Sequence, residues 1–135
     1  MTIERQEVQL PATTSAPRAA RDFVGVVLTE WRLDHLKDTA LLLTSEVVTN
    51  AVVHAGTAST LRIERTGSDR VRISVIDGGA GVAQRVGDRR GVAGGHGLAL
   101  VDTLAQDWGS RRVDGLHEVW FHLDDRTDLP SNSSA

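Results

Sequence analysis

At 135 residues, 40% of them hydrophobic and 24% charged, the chain is long enough to bury one core and has the balance of an ordinary globular domain. A net charge of −3 argues against a broad surface for nucleic acid or anionic membrane, and the lack of cysteine excludes disulfides and thiolate metal sites. The opening MTIERQEVQL holds no apolar run of signal-peptide type and no segment reaches membrane-spanning length, so a soluble cytoplasmic protein is expected.

In chain order, Glu4 to Leu10 alternates loosely and reads as a short edge strand, broken by Pro11. Ser15 can cap a helix with Pro17 in its first turn, which runs to about Trp31 and sets Ala20, Phe23, Val24, Val27, Leu28 and Trp31 on one face. Asp34 can cap the next helix or a short turn leading into it. That helix, Asp38 to Gly56, is apolar on nearly every side and should be buried, with Gly56 placed to stop it.

Period 3.6 then gives way to period 2. Leu61 and Ile63 alternate with Arg62 and Glu64, Gly67-Ser68-Asp69 turns the chain, and Val71, Ile73 and Val75 lead to Asp77 on the same face. From Gly78 to Gly97 the chain carries eight of its thirteen glycines together with Arg85, Arg89 and Arg90, in a connection of the length expected of a functional loop. A short helix from Leu98 to Asp107 follows. Two strands, Gly109–Val113 and Glu118–Leu123, close the domain around a turn at Asp114-Gly115. Residues 124–135 are polar and read as a disordered tail, leaving a domain over 1–123. The order predicts an α+β fold: a two-layer sandwich of one mixed sheet with helices on one face.

Polar residues interrupt this pattern in three places. Glu46, Asn50 and His54 fall at i, i+4 and i+8, one stripe up the apolar helix, where an unpaired carboxylate or amide is costly. The second is the turn Asp77-Gly78-Gly79-Ala80-Gly81, and the third is Gly95-His96-Gly97-Leu98 at a helix start. A nucleotide makes use of all three. Asp77 can accept from the exocyclic amine of adenine, and Gly79 and Gly81 let backbone lie against the base. Gly95 and Gly97 free N–H groups at a helix N-terminus for phosphates. Asn50 offers an oxygen suited to magnesium, and Glu46 can take a proton from a hydroxyl attacking the terminal phosphate. The glycine-rich connection would act as a lid.

E-x-x-x-N on a helix, D-x-G-x-G after a strand and G-x-G-L opening a helix resemble the N, G1 and G2 boxes of the GHKL ATPase superfamily. Their settings, LLLTSEVVTNAVVHAG and GGHGLALVDTLAQDWG, are similar to those of small anti-sigma-factor serine/threonine kinases of bacterial partner switching, the single-domain actinobacterial type. The resemblance runs from the first strand to about Leu123. It implies the Bergerat (histidine kinase/HSP90-like ATPase) fold, ATP with magnesium, and phosphorylation of a serine or threonine on an anti-sigma-factor antagonist by a protein that also sequesters a sigma factor. By position, Glu46 resembles the catalytic base, Asn50 the magnesium ligand and Asp77 the adenine-binding aspartate. Gly79, Gly81, Gly95, His96, Gly97 and Leu98 resemble the rest of the nucleotide pocket. Many relatives carry threonine in the last strand near the adenine, where this chain has Glu118. Alternation groups Glu118 with Trp120 and His122 rather than with Val119, Phe121 and Leu123, and leaves its side open.

The remaining residues have plainer readings. His54 is a helix-end or pocket-wall residue; His35, His117 and His122 are surface or strand residues. Arg89 and Arg90 are read most simply as keeping the loop soluble, with phosphate contact as the alternative, and Trp31, Trp108 and Trp120 as core or dimer-contact residues. The first strand and helix offer apolar surface for a homodimer. The alternative to a kinase is a nucleotide-gated module that sequesters a partner without phosphotransfer. A two-component histidine kinase is disfavoured, because one short helix before the N box leaves no room for a dimerisation hairpin.

Overall fold

The computed structural model of the chain describes residues 4–78 and 98–125. Five strands form one sheet in the order β1-β2-β3-β5-β4: β1 Arg5–Leu10, β2 Ser59–Gly67, β3 Arg70–Asp77, β4 Asp107–Val113 and β5 Leu116–Asp124. Among the described residues three α-helices accompany them: α1 Ala16–Glu30, α2 Lys37–Asn50 and α3 Leu98–Leu104. Among the described residues no helix is long and apolar enough to cross a membrane.

The sheet expected to be mixed is antiparallel at every pairing. The reason is topological. β1, β3 and β4 run one way and β2 and β5 the other, and the order sets a strand of the opposite direction between any two that run alike; β5, in particular, inserts between β3 and β4. β5 can insert because Asp114 and Gly115 both adopt positive φ (52° and 81°), the requirement of a two-residue turn that folds β5 straight back on β4. β4 also starts earlier than alternation suggested and α3 ends earlier. The N–H of Gln106 donates to the His122 carbonyl (2.9 Å), and the Trp108 indole N–H donates to Asp102 Oδ1 (2.8 Å), pinning the first residues of β4 to the sheet and to α3. At the other end β5 extends through Asp124, which is buried against Arg70, so the tail expected from residue 124 does not begin there; its remainder, residues 126–135, lies outside the described residues.

Period-2 alternation decides the two faces of the sheet. Leu61, Ile63, Val71, Ile73, Val75, Val119, Phe121 and Leu123 point to one side, all nearly or wholly buried. The helices cover that side. α1 directs Ala20, Val24, Val27 and Leu28 inward; α2 directs Ala40, Leu43, Val47 and Val48. Small residues on both helices let them pack closely, and an Arg21 Nη1–H to Ser45 Oγ hydrogen bond (3.0 Å) ties them together. Trp31 lies in the core. Ser15 does precede α1 with Pro17 in the first turn, but its hydroxyl contacts Thr13 Oγ1 (2.8 Å) and does not cap the helix.

The opposite face is a lattice of paired charges. Glu7 accepts from Arg62 Nε (2.6 Å), Glu64 pairs with Arg5, and Glu118 accepts from Arg111 Nε (3.0 Å) and Arg72 Nη2 (3.4 Å). Trp120 lies within this lattice, under the Arg72 guanidinium (4.8 Å to the ring centre) and directly opposite Gly109. A Cβ at position 109 would stand 2.6 Å from Trp120 Cζ2, so the glycine is the space in which the indole lies. Gly109→Ala is therefore expected to destabilise the domain by about 1–3 kcal/mol, read as a lower melting temperature together with a changed tryptophan emission. An alanine variant that melts with the parent would show that the ring has another place to lie.

His122, on the same face, has its pKa lowered by burial first, then by the Arg70 and Arg72 charges, against the opposing pull of Asp107 (Nδ1 to Oδ2 3.7 Å). The neutral imidazole is thus the folded form. Because the unfolded chain takes up the proton more readily, stability is full above the unfolded value of 6.5 and falls as pH drops from there towards the lower folded value. Melting temperature should fall between about pH 7 and 5 and fall less in His122→Gln. Parallel curves for the two proteins would remove His122 from the acid response.

Candidate functional site

The site begins where α2 changes pitch. After Asn50 the helix widens into a π-helical turn, Ala51–Ala55, closed by the Gly56 N–H donating to the Ala51 carbonyl (3.1 Å) and stopped by Gly56 at φ +67°. Glu46 and Asn50 stay one turn apart on α2, both half-buried at the edge of its apolar face. His54, the third residue of the expected stripe, lies within this wider turn and is exposed, while Glu46 and Asn50 are half-buried. Leu42, one turn before Glu46, is also exposed, which makes α2 less completely buried than its composition implied. The Asn50 side-chain oxygen is buried and has no hydrogen-bond donor among the described residues.

β3, which ends at Asp77, touches both α2 and the π turn. Asp77 follows Val71, Ile73 and Val75 on the core face, as alternation required, and is only 5% exposed. Its neighbours across the sheet are Ser59 on β2 and His117 on β5. Just beyond it the Gly78 N–H donates to Thr57 Oγ1 (3.2 Å), fastening the strand end to the segment that leaves Gly56. Asp77 Oδ2 lies 3.9 Å from His117 Nδ1, and Oδ1 has no donor among the described residues. A buried acceptor left unpaired destabilises by roughly 1–3 kcal/mol, and here the helix end and the strand end each supply one. Both atoms are oxygens. Asp77 Oδ1 suits an N–H donor, and the neutral Asn50 oxygen suits a hard cation.

Of the remaining expected site residues, Leu98 opens α3, while Gly79, Gly81, Gly95, His96 and Gly97, with the basic lid, lie outside the described residues. Glu118, whose side the sequence left open, faces away from the helices and is held by Arg72 and Arg111; it is not beside Asp77. The residue that does stand there is His117, buried at 8% exposure, which sequence reasoning passed over as a strand histidine. The signal existed. Extending the Val119–Phe121–Leu123 alternation two residues back puts His117 on the core face, but the strand was expected to start at Glu118.

A five-stranded antiparallel sheet, helices on one side, and a polar helix end beside a buried aspartate at a strand end define a GHKL-type ATPase domain. The chain belongs to the histidine kinase-like ATPase domain family, whose description matches residues 10–123. Among solved structures, that of the RsbU and RsbW domains of Rv1364c from Mycobacterium tuberculosis has the same fold, with a TM-score of 0.69 at 24% sequence identity over 90% of this chain. The chain spans 32% of that protein's length. No curated protein matches it in sequence.

Proposed function

We propose that the domain binds ATP with magnesium and acts as a cytoplasmic serine/threonine protein kinase and anti-sigma factor in a partner-switching system, phosphorylating an anti-sigma-factor antagonist. The observation that carries the nucleotide part is the pair of buried oxygens, Asp77 Oδ1 and Asn50 Oδ1, that have no donor among the described residues and lie on two elements in contact. Asp77 would accept from the exocyclic amine of adenine, and Asn50 would hold the magnesium ion beside the phosphates. ATP would supply the phosphoryl group. Glu46, one helical turn before Asn50, would take the proton from the incoming hydroxyl. Gly79, Gly81, Gly95, His96, Gly97 and Leu98 complete the pocket in this reading, which the motif order supports. The 24% identical neighbour, described by its RsbW domain, is consistent with the partner-switching part.

A second reading has its own support. The orphaned oxygens are both suited to holding a nucleotide, and neither bears on transfer, so a nucleotide-gated module that sequesters a partner fits them equally. We also propose a homodimer. The surface for it is the edge of the sheet at β1 and Val26, the large apolar residue that α1 turns outward.

Calorimetric titration with ATP and ADP, with and without magnesium, tests the shared core. Binding that tightens with magnesium is expected, and no heat at millimolar nucleotide would sink both readings. Labelled-phosphate transfer to an antagonist separates kinase from module, and sedimentation of the same sample reads the dimer.

A further inference from the structure

His117 is the direct cross-strand neighbour of Asp77, and the two side chains share the core face at the sheet end. Their exposures, 8% and 5%, take both out of bulk water. At 3.9 Å, His117 Nδ1 is beyond a direct hydrogen bond to Asp77 Oδ2 but well within electrostatic reach in a site of this burial. His117 Nε2 is itself buried and has no hydrogen-bond partner among the described residues. The other residues level with the pair are Ser59, across from Asp77 on β2, and Arg112, across from His117 on β4 and exposed.

A carboxylate has two equivalent oxygens and can present either. An imidazole whose proton sits on Nδ1 gives Asp77 a reason to turn Oδ2 towards the ring and leave Oδ1 for a ligand, and Oδ1 is the oxygen that lacks a donor among the described residues. We propose that His117 is a positioning residue for base recognition: it fixes the rotation of the Asp77 carboxylate so that one acceptor oxygen meets a purine bearing a 6-amino group. This rests on the nucleotide reading above and adds a residue to it. The consequence is selectivity. A 6-amino purine donates to Oδ1, whereas a 6-oxo purine brings a carbonyl oxygen against a carboxylate that cannot turn away.

The test compares magnesium-ADP with magnesium-IDP by calorimetry in the full chain, in His117→Val and in His117→Asn, whose amide can place a donor where Nδ1 stands. The parent is expected to prefer ADP over IDP by about tenfold or more, the discrimination a single oriented hydrogen bond supplies. His117→Val should lose about tenfold in ADP affinity with IDP changed less than about twofold, and His117→Asn should retain most of the preference. Circular dichroism checks the fold of each variant; if valine does not fold, His117→Ala carries the same expectation. Equal losses for ADP and IDP would reduce His117 to a packing residue and overturn the inference. So would an unchanged valine or alanine variant, or an asparagine variant as impaired as valine. A parent that binds neither nucleotide overturns the nucleotide reading and this inference with it, whereas a parent that binds both while its variants match it overturns the inference alone.

Discussion

Asparagine in place of Asp77 is expected to weaken adenine-nucleotide binding by about 100-fold, close to 2.7 kcal/mol, while leaving the empty domain at least as stable as before. The two halves of this expectation have one cause. Asp77 is a carboxylate at 5% exposure whose nearest cation candidate, His117, stands at 3.9 Å and whose Oδ1 has no donor among the described residues. Burying such a group unpaired opposes folding, so a neutral isostere relieves the folded state. The same group is a charge-assisted acceptor once an amine meets it, and an amide that turns its NH2 towards that amine is the wrong partner. Calorimetry with ADP and a thermal melt without nucleotide read the two effects separately. A variant that binds ADP like the parent would show that the base is read elsewhere. One that loses binding because it has unfolded would show that Asp77 is structural.

Glu46→Gln is expected to leave nucleotide affinity within about threefold and to slow phosphoryl transfer by about 10²–10⁴ if the domain is a kinase, the contribution of a positioned general base. The side chain is half-buried one turn before Asn50, on the rim of α2 and outside its packed stripe of Ala40, Leu43, Val47 and Val48, so the isosteric change should disturb no core contact. Single-turnover transfer of labelled phosphate to an antagonist protein measures it. An undiminished rate would take Glu46 out of the mechanism. A parent that binds ATP yet transfers nothing would favour the nucleotide-gated module.

The local patterns were legible from the residues. The Asp114-Gly115 turn, the β2–β3 hairpin, the inward face of α1 and the burial of Asp77 all follow from period and turn chemistry within a few residues, and all are found. The misjudged features each depended on something further along the chain. The winding of α2 past Asn50 was one: nothing in AVVHA distinguishes a π turn from an α turn. The side of Glu118 was left open by alternation and was settled by two other strands: Arg72 and Arg111, one from each flanking strand, hold it on the far side of the sheet.

By itself the sequence determined the order of helices and strands, which side chains of a strand share one side, and the motif order that marks a nucleotide-binding family. Only the tertiary structure decided that the sheet is antiparallel throughout, that Glu118 turns outward, and that His117 stands beside Asp77. The reason lies in the range of each rule. A period of two says which way a side chain points, because successive residues on a strand alternate. It says nothing about which strand comes to lie alongside, and that was settled when β5 paired with β3 on one side and β4 on the other, bringing together residues 40 positions apart.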